Sequence, residues 1–232
     1  MSACQALPPT AQPIVTPQIW QVQLTPDLAW LEPNLNLCTN RQTNLGLATF
    51  ERPFAEFGNH PADINLRWGA PAHLTGAAVV LAYDDLVLAV SAGNPIQTLS
   101  QKDVQAIYTG KINNWKNFNQ SSSFDQKIQA WSYPDGEETQ QVFMNFLAAN
   151  IPIGEPAGFA PTPEAMRQIL AANPGAIGYL PEHWLDQNIH KVNLADAPAN
   201  TLPQVPILAI TSSEPTGQQK FWLECLQSTL QP

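Results

Sequence analysis

Residues 19–24, IWQVQL, alternate apolar and polar positions and predict a strand, after which Thr25, Pro26 and Asp27 supply an N-cap, a first-position proline and an early carboxylate for a helix through Leu28 and Leu31. The same period-two pattern predicts strands over residues 45–50 and 62–66. An apolar segment over 73–82 then leads into DDLVLAVSA, a buried strand that ends at Gly93-Asn94-Pro95. In LSQKDVQAIYTGKINNW the period changes to that of a helix. Ser100 caps, Asp103 stands three residues on as in a capping box, Val104 and Ile107 face inward, and Gly110 closes the turn. Strand, helix, helix and strand follow over 127–131, 139–149, 162–173 and 176–180, and the chain closes with a strand over 205–211 and a helix over 216–230. This alternation predicts an α/β fold with mainly parallel sheets, in which ligands bind beyond the strand ends at helix N-termini.

Composition narrows the functions such a fold could serve. The 232 residues carry a formal net charge of −9, and ten basic residues stand singly along the chain. A nucleic-acid partner is therefore not expected, because phosphate backbones require a basic patch. A small anion is not excluded, since helix N-termini bind one through backbone N–H groups. The four histidines, His60, His73, His183 and His190, lack metal-ligand spacing, and there is no C-x-x-C, so neither a metal nor a cofactor is expected. Hydrolase, phosphate-loop and zinc-protease motifs are missing, which argues against an enzyme.

The N-terminus is polar and proline-rich, and Ser2, Ala3 and Cys4 are similar to the last three positions of a lipobox. On that resemblance Cys4 carries a lipid anchor and residues 1–18 form a flexible tether. The bland alternative is a chance cysteine in a tail. Cys38 and Cys225 remain as an even pair, which in an exported protein suggests a disulfide. Cys225, on an apolar helix face with Trp222 and Leu226, reads equally as a small buried hydrophobe.

Four blocks in order, DDLVLAVSAGNP, LSQKDVQAIYTGKINNW, DGEET before a Phe-bearing helix, and NPGAIGYL, resemble the phosphate-binding-like receptors of bacterial ABC importers, which have the type II periplasmic-binding-protein fold. The resemblance implies two α/β lobes joined by two crossing segments, with the ligand clamped between them. Lobe 1 is expected at residues 19–92 plus 191–232 and lobe 2 at 93–190. Cys38 and Cys225 then fall in one lobe, which favours the bridge. The resemblance further implies an extracytoplasmic lipoprotein, a monomer, whose partners are a small-molecule ligand and an ABC permease. The alternative is a sensory or adaptor domain that kept the fold and lost transport and small-ligand binding.

Phosphate receptors of this kind hold the anion with helix N-terminal N–H groups, hydroxyls, an Arg and an Asp, and the lobe 2 share is a loop similar to R-S-D-G-S-G-T. Laid on SYPDGEETQQVF, Asp135, Gly136 and Thr139 match. Tyr133 stands in place of the Arg, Pro134 of the first Ser, Glu137 of the anion-binding Ser and Glu138 of the second Gly. Two unit charges about 4 Å apart interact by roughly 4 kcal/mol at an effective dielectric of 20, so exchanging an attractive Arg for a repulsive Glu moves affinity by several powers of ten. Phosphate becomes a doubtful ligand. Glu137 is expected either to fill the anion position itself or to face a ligand that bears donors, with favourable interaction with the helix dipole as the plain alternative. From lobe 1, Thr25 at the first helix start and Arg67 in NLRWG complete the candidate set. Arg67 stands either for a displaced positive charge or for an ion-paired Arg at a strand end.

Overall fold

The computed structural model describes residues 16–147, 154–195 and 203–231; Cys4 and most of the expected tether lie outside them. Ten strands form one hydrogen-bonded set: β1 (Gln18–Leu24), β2 (Leu45–Glu51), β3 (Ile64–Trp68), β4 (Ala77–Ser91), β5 (Thr98–Leu99), β6 (Gln129–Ser132), β7 (Gly158–Phe159), β8 (Ala176–Pro181), β9 (Ile189–Leu194) and β10 (Gln204–Thr211). Helices α1 (Glu32–Asn40), α2 (Gln101–Tyr108), α3 (Glu138–Phe146), α4 (Pro163–Ala172) and α5 (Gly217–Thr229) flank it. No described helix is long and apolar enough to cross a membrane.

The sheet is organised by β4. Ala77–Asp85 pairs with β10, whereas Leu86–Ser91 pairs with β8 and β9, so one continuous strand serves two half-sheets. The first lobe contains β2, β1, β3 and β10, and the second contains β8, β6 and β7 with β9 and β5. Strand partners change between Asp85 and Leu86, and β9 pairs with the second half of β4 and with β5. Every antiparallel pair involves β4 or β10; the other strand pairs run parallel, as the helix-strand alternation of the sequence requires.

Each lobe has its own packed interior. In the first, α5 lies on α1, with Trp222 fully buried, edge-on to Trp20, and its Nε1 donating to Thr39 Oγ1 at 3.1 Å. A disulfide between Cys38 and Cys225 joins the same two helices across 187 residues of sequence, with Cα atoms 5.8 Å apart. In the second, the Phe143 ring stacks on Tyr179 at 3.7 Å, with Tyr108 and Tyr133 against them. Trp115 is fully buried, and its Nε1 donates to the Gly175 carbonyl at 2.9 Å, tying the turn after α2 to the NPG turn before β8. The capping box at the start of α2 is present: Ser100 Oγ accepts from the Asp103 N–H, and the Asp103 carboxylate accepts from the Ser100 N–H.

Candidate functional site

The two lobes meet through polar side chains at the ends of three elements. On the first lobe, β1 runs into a 3-10 turn at Pro26–Leu31, and β3 ends at Arg67 and Trp68. Across from them, β6 leads through Tyr133 and the Asp135-Gly136 turn into α3. Arg67 forms an ion pair with Glu138, and Thr139 Oγ1 donates to Asp27 Oδ1. Both contacts bridge the lobes, and all four residues are at most 4% exposed. Trp184 adds a third bridge, its Nε1 donating to the Asp27 carbonyl at 2.9 Å, and the Trp30 and His183 rings stack beside it at 3.5 Å.

Local sequence accounts for these positions. Thr25 holds the N-cap place, but its hydroxyl makes no capping bond, because the turn opens as 3-10 and the Leu28 N–H is already taken by the Thr25 carbonyl at 2.9 Å. The hydroxyl is left buried without a hydrogen-bond partner among the described residues. Gly136, at φ +95°, turns the chain so that α3 begins at Glu138, one residue ahead of the expected start. Glu138 and Thr139, in the first turn, are thereby set against the first lobe.

The charges are unequal. Arg67 faces Glu138, with Asp27 and Glu137 close enough to act on it electrostatically. Burial pushes the Asp27 carboxyl up to about 7, against the pull of the Thr139 hydrogen bond and with a push from Glu137. Glu138 is pushed up to about 8, again by burial first, with Arg67 pulling it down and Asp27 pushing it up. Burial lowers Arg67, and Glu138 opposes that. Burial thus favours the protonated forms of Asp27 and Glu138, while the Arg67 guanidinium favours the charged form of Glu138. Burial also raises Glu137, and it pushes the neighbouring Asp84, which accepts from Trp68 Nε1 at 3.2 Å, up to about 6.

Of the residues expected from sequence, Thr25, Arg67 and Thr139 are buried at this junction. Asp135 and Gly136 are exposed on its rim; Asp135 Oδ1 accepts from Gln140 Nε2 at 3.3 Å, and the Gly136 carbonyl accepts from Gln141 Nε2 at 3.1 Å. Glu137 is half-buried at the N-cap position of α3, and its carboxylate makes no capping bond. The carboxyl group set against Arg67 belongs to Glu138, not to Glu137. Sequence reasoning missed Asp27, Glu138, Tyr133 and Trp184 as members of the junction. The available signal was the adjacent pair Glu137 and Glu138 at a helix start, which reads as a helix-dipole effect until the long-range partner is known.

Four buried polar atoms here hydrogen-bond to no described residue: Thr25 Oγ1, Arg67 Nε, Tyr133 Oη and Glu138 Oε2. Their residues are at most 4% exposed. Native structures pair nearly all such atoms with protein or with a bound small molecule or water. The junction can thus offer hydroxyl and N–H donors together with carboxyl acceptors to a small polar solute. Among the described residues no cluster of His, Cys, Asp and Glu could hold a metal ion. A cavity of about 250 Å³, lined by Phe54, Phe57, Asn65, His73 and Leu74, also reaches Arg67.

Residues 73–220 match the family described as PBP superfamily domain. The phosphate-binding protein PstS of Bacillus subtilis is 30% identical over 154 residues, which are 62% of this chain and 49% of that protein, so the chain spans about half the length of the curated relative it matches. Among solved structures, a protein from Clostridium perfringens assigned as a phosphate ABC transporter substrate-binding protein, with bound phosphate, superposes with TM-score 0.71 at 19% identity, covering 90% of this chain and 93% of that one. The regulatory domain of an OxyR2 variant from Vibrio vulnificus gives 0.65 at 14% identity, covering 92% and 98%. At these identities the likeness is one of fold. With the family match spanning well over half the sequence and the two-lobed sheet agreeing with it, this chain belongs to the PBP superfamily.

Proposed function

We propose that this chain is an extracytoplasmic solute-binding protein of an ABC importer, which closes its two lobes on a small molecule and presents the closed form to a membrane permease. The observation that carries the reading is the buried polar cluster shared by the two lobes, with atoms left over for a solute: Thr25, Asp27, Arg67 and Tyr133 beside Glu138 and Thr139. The names of the Bacillus and Clostridium relatives support it. In this reading the chain acts as a monomer, the lobes divide within β4, Cys4 holds the domain at the membrane, and the Asp135–Thr139 loop contributes the second-lobe part of the site.

A second reading, a sensory or adaptor domain that has given up small-ligand binding, is favoured by one observation: the cluster's single guanidinium is already engaged by Glu138. The OxyR2 likeness shows that the fold also occurs in a regulatory domain. A thermal-shift panel of phosphate, sulfate, molybdate, carboxylates, amino acids and sugars separates the two. A ligand at 100 times its dissociation constant stabilises the folded state by about 2.7 kcal/mol. The receptor reading expects a saturable shift with one class. No shift with any compound would favour the second.

A further inference from the structure

We infer that Glu138 is a tethered competitor for the cleft: its carboxyl group occupies the face of Arg67 that a free oxyanion would need, and so it sets the specificity of the site against oxyanions. The inference rests on the reading of the junction as a solute cleft.

The geometry distinguishes this from an ordinary structural ion pair. A pair built for stability satisfies its remaining N–H groups and oxygens, because each one left idle in a buried place costs free energy. Here Arg67 Nε and Glu138 Oε2 both stay unpartnered, and the Thr25 and Tyr133 hydroxyls are idle in the same cluster. Arg67 is also held without Glu138. Its guanidinium stacks on the Phe54 ring, 3.7 Å from the centroid, and its backbone is fixed in the sheet between β1 and β10. Removing the Glu138 side chain therefore leaves a buried cation in place, beside hydroxyls and the positive end of α3. Those are the elements of an oxyanion site. Glu138 comes from the opposite lobe, so while it is bound it closes the cleft as a ligand would.

The tether sets the scale. A group held next to its partner competes at an effective concentration in the millimolar range or above, so removing it should improve the apparent affinity of a free competitor by roughly 100-fold or more. The test is isothermal titration of inorganic phosphate and of sulfate into the full chain, as wild type, Glu138→Ala and Arg67→Met/Glu138→Ala. Glu138→Ala is expected to bind at least one of the two anions roughly 100-fold more tightly than wild type, and the double variant to lose that gain. Equal affinity in Glu138→Ala and wild type, or a gain that survives loss of Arg67, would overturn the inference. Should Glu138→Ala fail to fold, Glu138→Gln keeps the volume and removes the charge; a gain in anion affinity supports the inference, and none overturns it. Wild type unresponsive to the whole panel, with Glu138→Ala binding phosphate, would sink the receptor reading and leave this one standing. A wild-type ligand with no anion gain in Glu138→Ala would do the reverse.

Discussion

Replacing Arg67 by Met removes one partner of a buried ion pair and leaves Glu138, 4% exposed, facing an apolar side chain. Stranding a buried charge costs about 3–5 kcal/mol, whereas a neutral buried acid that has lost a hydrogen-bond partner costs about 1–3 kcal/mol. Which figure applies depends on pH. Burial already lifts Glu138 to about 8, and loss of the guanidinium lifts it further. A carboxyl raised in the folded state gives stability that is complete below its unfolded pKa and is lost as pH rises toward the folded one. The deficit of Arg67→Met relative to wild type should therefore be about 1–3 kcal/mol at pH 5.5 and about 3–5 kcal/mol at pH 8.5. The double variant Arg67→Met/Glu138→Leu replaces the whole pair with apolar volume and should recover most of that loss, since such replacements are often neutral or stabilising by about 1–4 kcal/mol. Urea unfolding of the three chains at both pH values reads all of this. A loss below about 1 kcal/mol at pH 8.5, or a double variant weaker than the single one, would refute the account of the pair.

Other consequences are independent of that pair. Reducing the Cys38–Cys225 bridge, or replacing both residues with Ala, opens a loop of 187 residues and should cost about 5 kcal/mol on the chain-entropy model, measured by urea unfolding with and without reductant. Asp27, raised from 3.8 to about 7, gives stability that is full below about 4 and is lost up to about 7; Asp27→Asn should flatten that fall, worth about 4 kcal/mol at about 1.36 kcal/mol per pKa unit, in melts from pH 4 to 8. Trp115→Phe removes one of two donors to the Gly175 carbonyl, which keeps the Gln129 N–H at 3.0 Å, and should cost about 0.5–1.5 kcal/mol, with the loss read as earlier amide exchange in β6 and β8.

The strands and helices were largely legible because most of them bury one face, and burial writes the periodicity that betrays them. What escaped had a physical reason. The strand β4 read as two segments because Asp84 and Asp85 interrupt its apolar run. These residues stand where the strand leaves one half-sheet for the other, and Asp84 is retained by the Trp68 indole and the Asp85 N–H. IHKVNL, at β9, carries His190 and Lys191 among its apolar residues and gives no clean alternation, yet it pairs with both β4 and β5. At the junction, Thr25 could be named from its place at a helix start, and Arg67 and Thr139 from the family resemblance. Asp27 and Glu138 could not, because their meaning comes from partners 112 and 71 residues away. Periodicity reports which face is buried; it carries no information about which buried carboxyl meets the one buried guanidinium.

The central claim is that a solute binds between the lobes at this junction. Its most direct test is isothermal titration of the best compound from the thermal-shift panel into wild type, Asp27→Asn and Thr139→Val, the last two altering the Asp27–Thr139 bridge from either lobe. The account predicts one site per chain in wild type and at least a tenfold loss of affinity, about 1.4 kcal/mol, in each variant. Undiminished affinity in both variants, with both folded, would place the ligand elsewhere and contradict the account.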